Sequence, residues 1–531
     1  MKRLCGILIS LSCVCIFLQA QNVVHIQDIE TWTTDELNQY VGKTIQFDVP
    51  FYITNNYTYR SGTYNISPRR LFSPTNQEIP LSDEYDSLVK LNNKGSLQLN
   101  GLSGYHRMGE QLHNLTVRVN STAMLQLVSA DIVGNTREDL EAGAPSVDLR
   151  GEHTLLACAF NLEYYLVENL GTGYGADNQY QHNRQKEKIS KALNKIRADV
   201  FGFVEIEQGQ SALKELAEIL TDSTGKQYSY IDDGGSASGS YTKSGYVYCT
   251  ETLRPIGNIR SNNTRVQNRK KMQAFEEIAT GERFIFSINH FKAKTNTGAT
   301  GLNADQNDGQ GTFNYDRTLE AQSVITDYQA NRAYYGDPDI LIMGDLNAYG
   351  KEDPIRTLTG NGMTDLHRYF HQDTSYSYVF HGYAGYLDHA LANSTLLGQI
   401  TGMAAYHINS DEDDRFTYDG SNSDLTMFRC SDHDPVLVGL RLGAAAESMT
   451  KASITSIVTS GTQPVIRNAS GGYYRITDMN GLYIAEGTID MDNFLLPSGL
   501  SKGFYIVTIY EPNRENPNKN GKAEAFKLLI F

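Results

Sequence analysis

Two short phrases in the second half of the chain place acidic, amide and imidazole side chains directly beside apolar runs. The apolar run 340–343 leads into Gly-Asp-Leu-Asn at 344–347, and Ser-Asp-His-Asp-Pro at 431–435 leads into the apolar run 436–438. Runs of this length that are bounded by Gly, Asp or Pro are typical of buried strands. A carboxylate beside a buried strand is costly unless it is paired, hydrogen-bonded or bound to metal. The two phrases therefore predict one active site at the rim of a sheet.

Other apolar runs end on side chains of the same kinds, so the candidate site has several members. In chain order they are Asn161, Glu205, His290, Asp345, Asn347, Asp388, Asp432 and His433. Oxygen ligands of this type suit Mg²⁺, Mn²⁺ or Ca²⁺, and the histidines suit proton transfer near neutral pH. One such Asp alone is more often a helix cap or a turn residue, but six phrases in this order favour a metal-dependent catalytic site.

The order of these phrases resembles that of the endonuclease/exonuclease/phosphatase superfamily, whose members include deoxyribonuclease I and abasic-site endonucleases. The likeness extends roughly from Gly151 to Leu442 and is closest to the bacterial extracellular nucleases. The matching stretches are 289–294, 308–311, 344–349, 352–354, 376–380, 385–391 and 431–436. The resemblance implies an α/β (α+β) catalytic domain, a four-layered α-β-β-α sandwich in which two mixed sheets pack together with helices outside.

The resemblance also implies how the site binds metal. Glu205 should be the principal ligand, with Asn161 beside it, and Asp432 should add to the metal shell or to its waters. The expected ion is Mg²⁺ or Mn²⁺, with Ca²⁺ as an alternative. An ion at this place would act as a Lewis acid on a phosphoryl oxygen.

Five further residues receive catalytic roles by resemblance. His433 should act as a general base or phosphate contact, and Asp388 should orient it in a carboxylate–imidazole dyad. Asp345 should orient or deprotonate the attacking water, and Asn347 should hydrogen-bond the phosphate. His290 should face the leaving group and donate a proton or a hydrogen bond.

The chain departs from the family pattern in two places. Extracellular nucleases usually carry an Arg followed by prolines before a strand, whereas Arg269 precedes Lys-Lys-Met and is the candidate phosphate-binding residue here. Lys292 and Lys294 follow His290 two positions apart, so both can face the same side of the chain. They either contact phosphate or are solvated surface lysines. In deoxyribonuclease I the histidine that corresponds to His290 pairs with a glutamate. That glutamate has no clear counterpart here, and Lys243 lies near its place.

The first twenty residues are predicted to be a signal peptide. Lys2 and Arg3 precede a mostly apolar run over 4–18, and Ala20 offers a cleavage point. This run is too short for a comfortable membrane span, and no later segment has enough uninterrupted apolar residues. The protein is therefore predicted to be exported, either secreted or at the cell surface, with the periplasm as an alternative. Its formal net charge of −15 argues against strong electrostatic affinity for nucleic acid without excluding such a substrate.

Composition divides the remaining chain into domains. Residues 21–148 alternate apolar and polar side chains between short turns, which indicates an N-terminal β domain, a sandwich or an oligonucleotide-binding-fold-like barrel that either guides substrate or serves as a spacer. Residues 149–442 form the catalytic domain, with helices predicted over 185–197 and after a cap at Ser211. Within it, the acidic run 411–414 is predicted to be a solvated turn.

The C-terminal part is predicted to be a linker and a small β domain. Residues 443–463 are rich in Ala, Ser and Thr, and β character returns over 464–531. This β-sandwich resembles the sorting domains of the type IX secretion route, which would make export machinery a partner. A plain accessory domain is the alternative.

These observations favour an exported, metal-dependent phosphoric ester hydrolase that cuts DNA and/or RNA, in all an extracellular endonuclease. A phosphatase or a phospholipid phosphodiesterase of the same superfamily is the alternative. An inactive surface-binding protein belongs to a different class, and the complete set of ligand and dyad residues argues against it.

Overall fold

The computed structural model describes most of the catalytic region and parts of both flanking regions. The described residues are 23–26, 34–93, 96–121, 124–143, 149, 153–235, 242–261, 269–295, 297–371, 374–443, 453–454, 457–458, 463–467, 473–478, 483–489, 494–496, 500, 502–512 and 520–530. The predicted signal peptide and most of the predicted linker lie outside them. Of the helices in these ranges, none is both long enough and apolar enough to span a membrane.

The N-terminal region is built on a ring of strands. Its strands are β1 (Val24–Ile26), β2 (Thr44–Phe47), β3 (Phe51–Asn55), β4 (Thr63–Ser67), β5 (Leu97–Asn100), β6 (Gln111–Ser121) and β7 (Met124–Val133). Strands β3, β4, β5, β7 and β6 pair in that order and β6 pairs back with β3, so the ring closes, and β2 and β1 extend it beside β6. Alternate side chains of these strands fill a separate apolar core.

Helices in this region correct the expectation of an all-β domain. They are α1 (Thr34–Asn38), α2 (Pro74–Gln77), α3 (Asp83–Asn92) and α4 (Arg137–Ala142). The Ser82 side chain accepts a hydrogen bond from the amide of Tyr85, acidic residues fill the first turn of α3, and Lys90 lies in its last turn. Such a cap and such charges stabilise a helix locally. They explain why α3 forms in a segment with little apolar periodicity.

The catalytic region alternates strands and helices. Its strands are β8 (Leu155–Tyr165), β9 (Val200–Glu207), β10 (Tyr228–Tyr230), β11 (Thr242–Cys249), β12 (Leu253–Ser261), β13 (Lys270–Glu277), β14 (Arg283–His290), β15 (Ile340–Asp345), β16 (Met363–Asp365), β17 (Tyr378–Phe380), β18 (Tyr383–Gly385), β19 (Asp388–Asn393), β20 (Ile400–Ala405) and β21 (Val436–Leu440). Its helices are α5 (Gln179–Ile196), α6 (Ser211–Thr224), α7 (Asn314–Tyr335), α8 (Asp353–Gly360), α9 (Leu366–His371) and α10 (Ser394–Leu397).

Two six-stranded sheets lie at the centre of this region. Their strand orders are β10-β11-β9-β8-β21-β20 and β12-β13-β14-β15-β19-β16. The sheets share one apolar core, to which Ala157 and Val200 contribute from the first sheet and Phe286 and Leu341 from the second. A further core joins the first sheet to α5 and α6, and another joins the second sheet to α7 and α8. The predicted mixed α/β class is confirmed.

Both predicted helices are present, but the first begins earlier than expected and the second has a different cap. Helix α5 starts at Gln179 because the Asn178 side chain accepts a hydrogen bond from the amide of Gln181. Helix α6 does start at Ser211, but Gln210 occupies the cap position. The Ser211 hydroxyl donates to Glu168 instead of capping the helix, which corrects its predicted role.

The C-terminal region contains two small sheets. Its strands are β22 (Ser453–Ile454), β23 (Ile457–Val458), β24 (Val465–Arg467), β25 (Tyr473–Asp478), β26 (Tyr483–Thr488), β27 (Phe494–Leu495), β28 (Gly503–Pro512) and β29 (Asn520–Ile530). They pair in the orders β22-β24-β27 and β23-β29-β28-β25-β26. Ile466 from one sheet and Ile476, Val507 and Leu528 from the other belong to one apolar core.

The first three residues of the acidic run 411–414 are buried, whereas Asp414 is exposed, so the prediction of a solvated turn is wrong for residues 411–413. Arg70 pairs with Asp411, and Arg107 and Arg137 each pair with Glu412 at 2.5 Å. Both of these carboxylate side chains have no solvent exposure. Because the arginines belong to a distant part of the chain, local composition gave no sign of the pairing.

A second contact between the two regions holds the β17–β18 hairpin. The amide of Ala384 donates to the carbonyl of Leu71, and the amide of Ser73 donates to the carbonyl of Ala384, each at 2.8 Å. At the hairpin tip, Gly382 has a φ of 85° and lies so close to the carbonyl of Thr54 that a Cβ would clash. The N-terminal region therefore fixes the position of this hairpin.

Candidate active site

Strand register places three of the predicted residues side by side at one end of the second sheet. The parallel pair β14–β15 sets His290 opposite Asp345, and the antiparallel pair β15–β19 sets Asp345 opposite Asp388. Gly344 permits this close pairing, because its φ is 121° and a Cβ there would clash with the backbone of Asn289. The spacing of the three side chains therefore follows from backbone pairing.

His433 and Asp388 form a carboxylate–imidazole dyad. Nδ1 of His433 lies 2.7 Å from Oδ2 of Asp388, and the Ser377 hydroxyl donates to the same oxygen at 2.8 Å. The ring of Tyr378 stacks on the imidazole with 4.7 Å between centroids. Burial alone would lower the pKa of His433, but nearby carboxylates, first Asp388 and then Asp432, raise it well above its ordinary value. The raised pKa favours the protonated imidazole, in which Nε2–H is a donor.

Asp345 lies between the two histidines. Its Oδ2 is 3.6 Å from Nε2 of His290 and 3.9 Å from Nε2 of His433. The side-chain amides of Asn161 and Asn347 donate to the same oxygen at 3.2 and 3.1 Å. Burial raises the pKa of Asp345 to about 7, against the opposing charge of His433. A carboxyl group that titrates near neutral pH is suited to exchange a proton with water.

Two further carboxyl groups, from Glu205 and Glu163 of the first sheet, lie near Asp432. Burial raises the pKa of Glu205 to about 8, and the charges of Asp432 and Asp345 add to the effect. The pKa of Glu163 is raised to about 8 by burial and then by Asp432. Oε2 of Glu163 is buried without a hydrogen-bond partner among the described residues. Crowded, partly buried oxygen donors of this kind fit a divalent cation.

A second group of ligand atoms overlaps the dyad. Those of Asp345, Asp388 and His433 lie within 4.8 Å of one another, close enough to hold one ion. Asp388 and His433 already bind each other, however, so the hard-oxygen group around Glu205 is the better match to Mg²⁺ or Mn²⁺. The side-chain carbonyl oxygen of Asn161 accepts a hydrogen bond from the amide of Glu163 at 3.0 Å, which fixes its orientation in the site.

His290 is the neutral member of the site. Burial lowers its pKa well below the ordinary value, and the charge of Arg269 acts in the same direction. Its Nε2 lies 3.5 Å from Oε1 of Glu205, which supplies a carboxylate neighbour although no counterpart of the expected glutamate was found. Lys243, near the expected place, instead pairs with Asp233 at 3.0 Å.

The three basic candidates have different surroundings. Lys294 forms a 2.5 Å ion pair with the buried Glu352, so its ammonium group is engaged away from the predicted phosphate contact. Nζ of Lys292 lies 4.4 Å from the ring centroid of Phe313. Burial and then the charge of Arg269 lower the pKa of Lys292. Both cations also lower the pKa of His290, so both lie near that histidine. Arg269 and Lys292 therefore form the basic side of the site.

Three residues of the site were not found by sequence reasoning. Glu163 follows Asn161 by two positions, but its φ of 49° interrupts the strand where alternation would be read. Ser377 and Tyr378 belong to a stretch that carried the family resemblance, although no role was assigned to them.

Comparison with known proteins gives a family model and distant structures. The model described as endonuclease/exonuclease/phosphatase family matches residues 160–433. An endonuclease/exonuclease/phosphatase from Bacteroides vulgatus is 15% identical, with a TM-score of 0.37 over 54% of this chain and 98% of its own. A mannosyl-6-phosphatase from Bacteroides thetaiotaomicron is 15% identical, with a TM-score of 0.36 over 54% and 99%. TDP2 from D. rerio, complexed with single strand DNA product, is 12% identical, with a TM-score of 0.35 over 54% and 97%. No curated protein matches the chain.

Proposed function

We propose a nuclease function for this chain, which belongs to the endonuclease/exonuclease/phosphatase family. In this proposal it hydrolyses phosphodiester bonds of DNA or RNA with a divalent cation. The observation that carries the proposal is the position of Asp345, whose Oδ2 lies within 4 Å of Nε2 of both His290 and His433. A carboxylate flanked by two imidazoles suits water attack on phosphorus, with donors on either side of the reacting centre.

The cation is proposed to bind at Glu205 and Asp432, with Glu163 and Asn161 beside them. The raised pKa values of Glu205 and Glu163 and the orphaned oxygen of Glu163 support this position, because a cation would relieve the crowding of charge. When bound, Mg²⁺ or Mn²⁺ supplies Lewis-acid polarisation of a phosphoryl oxygen.

The protein's own groups divide the proton transfers. Asp345, positioned by Asn161 and Asn347, takes a proton from the attacking water as the new P–O bond forms. The His433 imidazolium, held by Asp388, donates Nε2–H to a non-bridging phosphate oxygen. His290, a neutral imidazole, donates a hydrogen bond to the leaving oxygen as the old P–O bond breaks, and solvent water supplies the proton that the leaving group takes up. These assignments rest on the distances and pKa directions of the site.

Nucleic acid is the proposed substrate because the matching phrases between 289 and 391 are most similar to extracellular nucleases. The net charge of −15 favours a second candidate, a phosphatase or phospholipid phosphodiesterase, since a polyanion is not attracted to an acidic protein. A basic side made of Arg269 and Lys292 supports the first candidate, because it supplies local positive charge next to the histidine.

The test is a cleavage assay on plasmid DNA and structured RNA with Mg²⁺, Mn²⁺, Ca²⁺ or chelator. We expect cation-dependent cutting that falls about 100- to 10,000-fold in Asp345→Asn, since that variant loses the proton acceptor. Asp365→Asn, the same change at another buried carboxyl, is the matched control and should cut normally. Hydrolysis of phosphate monoesters or phospholipids without cutting of either polymer would transfer the proposal to the second candidate.

Export is also proposed, with a cleaved signal peptide over residues 1–20 and recognition of the C-terminal β region by export machinery. The basic start, the apolar run and the C-terminal resemblance support it. Expression of the full chain, with mass measurement of the mature form and fractionation of cells and medium, tests both parts. A mature form that retains Met1 inside the cell would contradict it.

A further inference from the structure

A row of aromatic rings leads from the dyad across the β17–β18 hairpin. Tyr378 covers His433, and the ring of Phe380 lies 6.4 Å from that of Tyr378 at an interplanar angle of only 14°. His381 packs against Phe380 at 4.1 Å. Phe380 is nevertheless 54% exposed. A flat apolar surface therefore faces solvent next to the reacting centre.

A cavity of about 330 Å³ opens beside Phe380. Tyr349 and Tyr383 line it from the catalytic region, and Pro74 and Val89 line it from the N-terminal region. None of its described lining residues carries a carboxylate, ammonium or guanidinium group. Pockets of this size with aromatic and aliphatic walls are typical binding sites for small apolar rings.

The cavity is held open by the contact between the two regions. Backbone hydrogen bonds from segment 71–73 to Ala384 fix β18, and the tip glycine Gly382 lies against the Thr54 carbonyl. Segment 71–73, which is hydrogen-bonded to the hairpin, is followed directly by Pro74, which lines the cavity. Phe380 is thus presented on a preorganised support, which lowers the cost of ordering it when a ligand binds.

We propose, on the basis of the proposed nuclease function, that this cavity receives one unstacked base of a single-stranded nucleic acid. The base stacks on Phe380, and its strand then runs past Tyr378 to the phosphate between His290 and His433. An acidic protein gains little affinity from phosphates alone, so an uncharged aromatic cavity supplies attraction that salt does not screen. The enzyme accordingly prefers single strands or frayed ends over intact duplex.

The experiment combines a ring deletion with a base deletion. Phe380→Ala and the wild type cleave a set of labelled single-stranded oligonucleotides, each with one abasic nucleotide at a different distance from the cut bond. Phe380→Ala should raise KM about 10-fold on the intact oligonucleotide with little change in kcat, because one stacking contact is lost. At one abasic position, where the missing base is the one that stacks on Phe380, the wild type and the variant should have equal KM.

Two further variants separate stacking from packing. Phe380→Tyr should restore the wild-type KM, whereas Phe380→Leu should not, since it keeps an apolar side chain without a flat ring. If Phe380→Ala raises KM by the same factor at every abasic position as on the intact oligonucleotide, the ring and the base act independently. That result would overturn the base subsite and leave the nuclease proposal intact. A wild type that hydrolyses small phosphate esters but no nucleic acid would overturn both.

Discussion

The buried ion pairs of Glu412 allow a quantitative test of how the N-terminal region is attached. Its carboxylate has no solvent exposure and accepts hydrogen bonds from Arg137 and from the Tyr105 hydroxyl at 2.8 Å, in addition to its pair with Arg107. Glu412→Gln removes the charge but keeps the size of the side chain. Arg107, only 1% exposed, would then be a buried cation with too little compensation.

Loss of one partner from a buried ion pair typically costs about 3–5 kcal/mol. For a unit of 150–250 residues, 1 kcal/mol corresponds to a change in Tm of roughly 2–4 °C, so the expected decrease is roughly 6–20 °C. Differential scanning fluorimetry and urea titration followed by tryptophan and tyrosine fluorescence measure it. A matched control is Glu187→Gln, which breaks a pair with Lys191 in which both side chains are nearly half exposed. That control should change stability by about 0–1 kcal/mol.

Two results would refute the reasoning. If Glu412→Gln and Glu187→Gln shift the urea midpoint equally, the buried charges contribute no more than surface charges do. If replacement of the whole network by apolar residues raises the midpoint, the arginine–carboxylate cluster sets the specificity of docking but not its strength.

Three further predictions concern the site and its surroundings. His433→Ala and His290→Ala should each lower kcat about 100- to 10,000-fold without loss of the folded circular dichroism spectrum, and near-normal turnover in a folded variant would remove that residue from the mechanism. Saturating Mn²⁺ should raise the free energy of unfolding by about 2.7 kcal/mol at 100 times Kd, and Glu205→Gln should lose most of this increase in thermal melts. Burial lowers the pKa of Lys271 to about 8, so between pH 8 and 10 the unfolded chain binds more protons at this lysine than the folded one does. Stability of the wild type relative to Lys271→Met should therefore rise over that range, and a flat difference in urea midpoints would contradict the shift.

The rims of the two sheets were predictable because strand pattern and chemistry coincide there. Asp345 and His433 each border an apolar run, and buried strands that end on polar side chains indicate a site whatever the exact topology. The register that sets His290 opposite Asp345 was not readable, since pairing partners lie far apart in sequence. Glu163 was missed for a local reason, its left-handed conformation at a break in the strand.

Two other features, helix α3 and the acidic run 411–414, were not predicted correctly from the sequence. Helix α3 had readable signals in Ser82 and in the acidic first turn, but they were outweighed by the turn-rich composition around them. The run 411–414 looked solvated because four acidic side chains in a row are normally exposed. Arginines that lie some 300 residues away in the chain pair with Asp411 and Glu412 and bury them, and no local rule contains that information.

The missing side chain of Gly344 sets the spacing of His290 and Asp345 by steric means alone. A single methyl group at this position would meet the backbone of Asn289 and push β14 away from β15. The imidazole of His290 would then withdraw from the carboxylate of Asp345, although neither side chain had been altered. Loss of activity on substitution at position 344 would thus report a change in the spacing of two strands. A residue with no functional group would then matter as much for turnover as the residues proposed to exchange protons.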